Sequence, residues 1–193
     1  THARSVTAYR SMVCLSHFIV RAFLQLFGGH VVNGINDVIA VGGVAVLRGE
    51  PLPEKPVVIT FDDGYRSNYT LAYPILQKYG MKATIFAIGV SFGKDHYKDT
   101  DYTITPHFGA DEAAEMTASG LISIQSHTYD MHQWPPYETG SAGRGNILQL
   151  PGESEESYVQ VLTEDFTRSR ALLEGATGQP VDVLAYPAGQ YST

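Results

Sequence analysis

Short apolar runs rich in β-branched residues alternate along this chain with longer stretches whose apolar positions recur at helical spacing. The runs predict strands over 57–61 (VVITF), 82–87 (KATIFA), 121–125 (LISIQ) and 183–186 (VLAY), with a weaker strand over 30–33. Their near-continuous apolar character suits buried parallel strands. The intervening stretches predict helices over 67–79, 111–119 and 154–173. These are followed by Gly80, by Gly120, and by Gly175 and Gly178, the residue type that ends helices in a left-handed turn. Near the start, Phe18, Ala22, Phe23, Leu26 and Phe27 share one helical face that Gly28 and Gly29 terminate. Strand followed by helix, with no internal repeat or low-complexity tract, predicts an α/β fold with right-handed crossovers.

Two segments break this rhythm. Residues 90–108 and 133–152 are long, rich in Gly, Pro and Tyr, and come after strand ends. Loops at the C-terminal ends of parallel strands build active sites in such folds. Structureless loops of this length are uncommon in compact domains unless they have a function.

The candidate chemistry sits at the same strand ends. Thr60-Phe61-Asp62-Asp63-Gly64-Tyr65 places two adjacent carboxylates after the strand over 57–61. They repel each other and point in different directions, so one can face a cation while the other acts as a base. Read alone, Asp62-Asp63-Gly64 is equally an ordinary turn leading into a helix. Ser126-His127-Thr128-Tyr129-Asp130-Met131-His132 follows the strand over 121–125. Two imidazoles and a carboxylate form a ligand set typical of catalytic divalent metals with open positions. Ala185-Tyr186-Pro187-Ala188-Gly189 closes the last strand, and its irregular turn could aim backbone amides at a developing oxyanion.

Composition narrows the function classes. At 193 residues the chain is about one domain long, and 44% of it is hydrophobic, enough for a core. A net charge of −7, with 13 scattered basic residues, argues against nucleic acid as the main partner. Cys14 is the only cysteine, so neither an internal disulfide nor a thiolate cluster is possible and any metal must be held by His and carboxylate. The apolar stretch 12–27 is short and interrupted by Ser16, His17 and Arg21, which excludes it as a spanning helix. The sequence starts at Thr1 without a signal-like segment, which is compatible with a targeting segment already removed.

The acid pair, the His pair and the amide-donating turn, in that chain order, resemble the polysaccharide deacetylases, the NodB-homology group of carbohydrate esterase family 4. The resemblance runs from about Pro51 to Gly189 and includes Leu52-Pro53-Glu54-Lys55-Pro56, Asn68-Tyr69 and Lys82-Ala83-Thr84-Ile85-Phe86. It implies a distorted (β/α) barrel, with 1–50 as a helical and strand lead-in and 51–193 as the deacetylase domain. It also implies that Asp62 is the general base, that Asp63, His127 and His132 are metal ligands, and that the backbone N–H of Ala188 serves the oxyanion. Tyr65, Thr128, Tyr186 and Pro187 are then expected at the substrate. The cofactor implied is a divalent cation, Zn²⁺ first and Co²⁺ or Ni²⁺ as alternatives. The reaction implied is removal of N-acetyl groups from a polysaccharide containing N-acetylglucosamine, such as poly-N-acetylglucosamine, peptidoglycan or a chitin-like polymer. The setting would be secreted or cell-surface, in cell wall or biofilm. O-deacetylation of acetylated xylan and a catalytically weak carbohydrate-binding role are the alternatives.

Three departures from the family pattern stand out. The His residues lie five apart where four is commoner, which resembles the branch acting on biofilm poly-N-acetylglucosamine. Ala185 stands where an Arg usually orients the base, and Ala188 replaces an aromatic. The family's later motifs, including the general acid, would fall beyond Thr193. The sequence is therefore expected to be an incomplete copy of its fold, in which 183–186 would be an unpaired apolar edge unless further residues or a partner covered it.

Overall fold

A computed structural model of the chain describes residues 58–134, 138–140 and 144–190. The strand expected over 30–33, the helix at Phe18 to Phe27 and the whole lead-in over 1–50 lie outside these residues. Within them the architecture is a parallel sheet with helices packed against it. The strands β1 (Thr60–Phe61), β2 (Ala83–Ala87) and β3 (Ile122–Ser126) lie in the order β1-β2-β3, and each pairing is parallel. Thr60 is opposite Thr84, and the β2–β3 register runs from Ala83 opposite Ile122 to Ala87 opposite Ser126.

Each crossover carries a helix. A helical run begins after Tyr65, passes through a π-helical segment at Asn68–Ala72 and continues as α1 (Tyr73–Tyr79). Gly80, at φ 60°, ends it in the left-handed turn the sequence predicts. The helix α2 (Ala110–Ala118) is closed at its start by Glu112, whose carboxylate accepts the Gly109 N–H at 3.1 Å. The long helix α3 (Glu155–Thr177) starts where the Ser154 hydroxyl accepts the Ser157 N–H at 3.2 Å. It runs through Gly175 and stops only at Gly178, which adopts φ 65°. The predicted end at residue 173 was four residues early because an interior Gly weakens a helix by only about 1 kcal/mol and does not by itself terminate it.

The core lies between sheet and helices. Ala83, Ile85 and Ala87 of β2 and Ile122 and Ile124 of β3 pack with Tyr73, Leu76, Phe108, Ala113, Met116, Leu173 and Val181. Thr84 and Phe86 on the opposite face of β2 are only partly buried, so this strand alternates where a continuous apolar run had suggested burial on both faces.

The strand expected over 183–186 is reduced to a single parallel bridge between Leu184 and Ser126. Ser126 N–H donates to Val183 O at 3.1 Å and Ala185 N–H to Ser126 O at 3.0 Å. Before that bridge the Gln125 side chain replaces the backbone ladder. Its carbonyl oxygen accepts the N–H groups of Asp182 and Val183 at 3.1 and 3.0 Å, and its amide donates to Pro180 O at 3.1 Å. Among the described residues the sheet does not close into a barrel, so the (β/α) barrel is seen only as its parallel α/β part.

Candidate active site

All three sequence motifs lie at the C-terminal edge of this sheet. After β1 the chain turns through Asp63 at φ 70° and Gly64 at φ 79°, with Gly64 N–H donating to Asp62 O at 2.9 Å. Only glycine suits the second position, because a Cβ there would stand 3.0 Å from Ala87 Cβ. The turn is thereby pressed against the end of β2, and Ile88 N–H bonds Asp63 O at 3.2 Å.

After β3, His127 N–H bonds Ala87 O at 3.0 Å and its ring Nδ1 meets Ala185 O at 3.0 Å. That contact makes Nδ1 the protonated nitrogen and leaves Nε2 as the acceptor facing Asp63. His127 Nε2 and His132 Nε2 approach Asp63 Oδ1 to 3.5 and 3.4 Å. The two imidazoles are nearly perpendicular, with ring centroids 5.2 Å apart. One ligand atom from each of Asp63, His127 and His132 lies within 4.8 Å of the others. Asp63 Oδ1 is buried and has no hydrogen-bond partner, although both ring nitrogens aim at it.

Charge follows from this packing. Burial pushes Asp62 up to about 6, and the neighbouring Asp63 carboxylate adds to the rise. Burial acts on Asp63 in the same sense, but the imidazoles of His132 and His127 and the Tyr65 hydroxyl outweigh it and hold that carboxyl below its usual range. Burial also depresses His127 to about 4, so the ring is neutral at physiological pH. One carboxylate is thus suited to holding a cation, and its neighbour to taking a proton.

The loop carrying the imidazoles is held from below and from the side. From below, α3 presents Asp165, Ser169 and Leu173, one stripe of a helix and its buried residues. Asp165 accepts the N–H groups of Tyr129 and Asp130 at 2.7 and 2.8 Å, and Ser169 Oγ lies 2.8 Å from Ser126 Oγ. The Arg168 guanidinium stacks 4.1 Å above the Tyr129 ring. From the side, Lys98 donates to Asp130 at 2.8 Å and to Thr139 O at 2.7 Å, Gln133 donates to Asp130 at 2.7 Å, and the Tyr97 hydroxyl donates to Gln133 at 2.9 Å. Both long loops therefore meet at Asp130, two residues before His132. Sequence reasoning missed Asp165 and Ser169. The available signal was two short polar residues four apart, in line with an apolar Leu173, on an otherwise charged helix.

The remaining expected site residues divide by exposure. Tyr65 is half-buried, with its ring 5.0 Å from the buried His107, and Tyr186 is exposed. Thr128 is buried in a left-handed turn at φ 72°, and its hydroxyl accepts the Met131 N–H at 3.3 Å. Pro187 is buried as well, ahead of Ala188 at φ 53°. Thr128 and Pro187, expected at the substrate, therefore shape turns and present little surface to a ligand. Among the described residues no helix is long and apolar enough to cross a membrane.

Known proteins resemble this chain in sequence and in fold. The chain is 37% identical over 139 residues to the Bacillus subtilis (strain 168) protein YxkH, a polysaccharide deacetylase by name, covering 72% of this chain and 39% of that protein. It is 39% identical over 112 residues to the poly-beta-1,6-N-acetyl-D-glucosamine N-deacetylase of Escherichia coli (strain K12), covering 53% of this chain and 15% of the relative. A solved structure of IcaB from Ammonifex degensii superposes with a TM-score of 0.57 at 32% identity, over 74% of this chain and 54% of that one. The chain thus spans well under half the length of the two curated relatives. Residues 49–193 match the family model described as polysaccharide deacetylase, so the chain belongs to the polysaccharide deacetylase family.

Proposed function

We propose that this chain is a metal-dependent hydrolase that removes N-acetyl groups from a polysaccharide containing N-acetylglucosamine, with poly-N-acetylglucosamine first among the candidates. The observation that carries the reading is the convergence of Asp63, His127 and His132 beside Asp62. Their fit to a cation rests on Asp63 Oδ1, a buried acceptor with no hydrogen-bond partner, faced by two imidazole nitrogens. Zn²⁺ is the expected ion and Co²⁺ or Ni²⁺ the alternatives, because two imidazoles and one carboxylate leave open positions on such ions. A cation held there would supply polarisation of the acetyl carbonyl and a more acidic water.

The protein's own groups do the rest. Asp62 takes the proton from the attacking water, since a carboxyl raised to about 6 is ionised at neutral pH yet more basic than an ordinary one. Ala185, standing where the family usually carries an Arg, contributes its carbonyl to fix the His127 ring. The Ala188 N–H, in the turn after Pro187, donates to the developing oxyanion, and Tyr65 and Tyr186 flank the sugar. The amide C–N bond breaks, water adds across it, and acetate and a free amine leave. In this reading residues 51–193 are the deacetylase domain, built on a distorted (β/α) barrel, and the polymer is met at the cell surface or outside the cell.

The test is acetate release from N-acetylglucosamine oligomers and from acetylated xylan, with chelator and after adding Zn²⁺ back. Release from the amide substrate that is lost with chelator and regained with Zn²⁺ is expected. Release from xylan alone would move the reaction to ester cleavage, and release insensitive to metal would remove the cation from the mechanism.

A further inference from the structure

The indole of Trp134 is 66% exposed, although burying an aromatic ring is among the larger gains a fold can make. Its ring centroid lies 6.1 Å from that of His132, with the planes tilted by 38°. The backbone beneath it is fixed. Gln133, the preceding residue, is held by Asp130, by Tyr97 and through its N–H by Gly145 O at 3.1 Å. Trp134 N–H donates to the Glu138 carboxylate at 2.9 Å, and Glu138 N–H returns a bond to Trp134 O at 3.2 Å. A flat apolar surface held open on anchored backbone, next to a candidate cation ligand, is preorganised for a ligand with a flat apolar face.

We propose that Trp134 is a specificity-determining residue, a stacking platform for a pyranose ring of the polymer beside the sugar being deacetylated, with Glu138 accepting from that ring's hydroxyl groups. The inference rests on the deacetylase reading and adds the subsite that distinguishes a polymer from a small acetylated compound. Sugars suit the position because their axial C–H faces are apolar while their rims are polar. Stacking there acts on binding of the chain and leaves the chemistry at Asp62 untouched, so its effect belongs in KM.

Trp134 is the single tryptophan of the sequence, so its fluorescence reports on this surface alone. The Zn²⁺-loaded chain is titrated with N-acetylglucosamine oligomers while emission, acrylamide quenching and calorimetric heat are followed together. A blue shift and a loss of quenching that saturate with the heat are expected. Trp134→Ala should raise KM for oligomers roughly tenfold, the upper range for an aromatic contact, with kcat changed less than about threefold. Trp134→Phe should recover most of the loss, and hydrolysis of a small acetyl ester should be unaffected. Oligomer heat without any change in emission, or an unchanged KM in Trp134→Ala, would overturn the platform while leaving the deacetylase reading intact. An inactive parent chain would overturn that reading instead, and the fluorescence titration would still decide whether sugar meets the indole.

Discussion

Asp165 and Asp130 are both buried acids, yet they are joined through the backbone: the Asp130 N–H donates to the Asp165 carboxylate at 2.8 Å. The arrangement lets α3 hold the loop between the two imidazoles by its backbone. Asp165→Asn keeps the size but turns one acceptor into a donor facing an N–H. Loss of about 1–3 kcal/mol in urea unfolding is expected, with weaker Zn²⁺ binding in a chelator competition. Unchanged metal affinity would show that the loop holds its shape without α3.

Asp62 and Asp63 are adjacent in sequence but shifted in opposite directions, Asp62 up to about 6 and Asp63 below its usual range. Asp62→Asn should retain Zn²⁺ and lower turnover by roughly 10² to 10⁴, the usual loss for a general base. Asp63→Asn should lose the metal first and activity with it. Metal content and single-turnover rates measured on both variants check this, and equal metal loss in both would reverse the assignment.

Gly64→Ala meets two obstacles at once, the φ of 79° and the side chain of Ala87 at 3.0 Å. A left-handed non-glycine residue costs about 1–3 kcal/mol, and the added contact displaces the acid pair as well. Gly80→Ala shares the left-handed backbone, at φ 60°, but has open space around it. Thermal melts should therefore show the larger loss at Gly64, and only that variant should lose activity.

His107 is buried against Tyr65, and neither ring nitrogen has a hydrogen-bond partner. Burial holds its pKa below the ordinary value, with the Asp63 carboxylate as a partial offset. In the unfolded chain the ring gains a proton as pH falls past about 6.5, whereas the folded protein gains it only at lower pH. Stability from this group is thus present above that pH and is lost as the pH drops through the folded value. His107→Phe should flatten the fall in melting temperature as the pH drops below about 6.5 and add about 1 kcal/mol at neutral pH. A parallel fall in both proteins would place the acid sensitivity elsewhere.

Much of this architecture is legible from the residues themselves. The runs over 82–87 and 121–125 and the three helices stand out because their apolar periods are long and their stops are glycines. The segment over 183–186 looks like a strand because it is apolar, but the Gln125 side chain takes the N–H groups of Asp182 and Val183 and leaves only the bridge at Leu184, and single-sequence patterning does not reveal which backbone groups a side chain will satisfy. The convergence of Asp63, His127 and His132 follows from their shared place at strand ends. Asp165 and Ser169 escape notice because a polar residue on a polar helix gains meaning only once the fold decides which stripe turns inward.

The Gln125 side chain also acts as a spacer between two loops of the site. Its carbonyl oxygen holds the N–H groups of Asp182 and Val183 and its amide holds Pro180 O. The segment that delivers Ala185 to the His127 ring therefore leaves β3 by the width of a side chain and joins it only at Leu184. One neutral residue, two positions before His127, thus helps to set how the imidazole loop and the turn at Ala188 face each other.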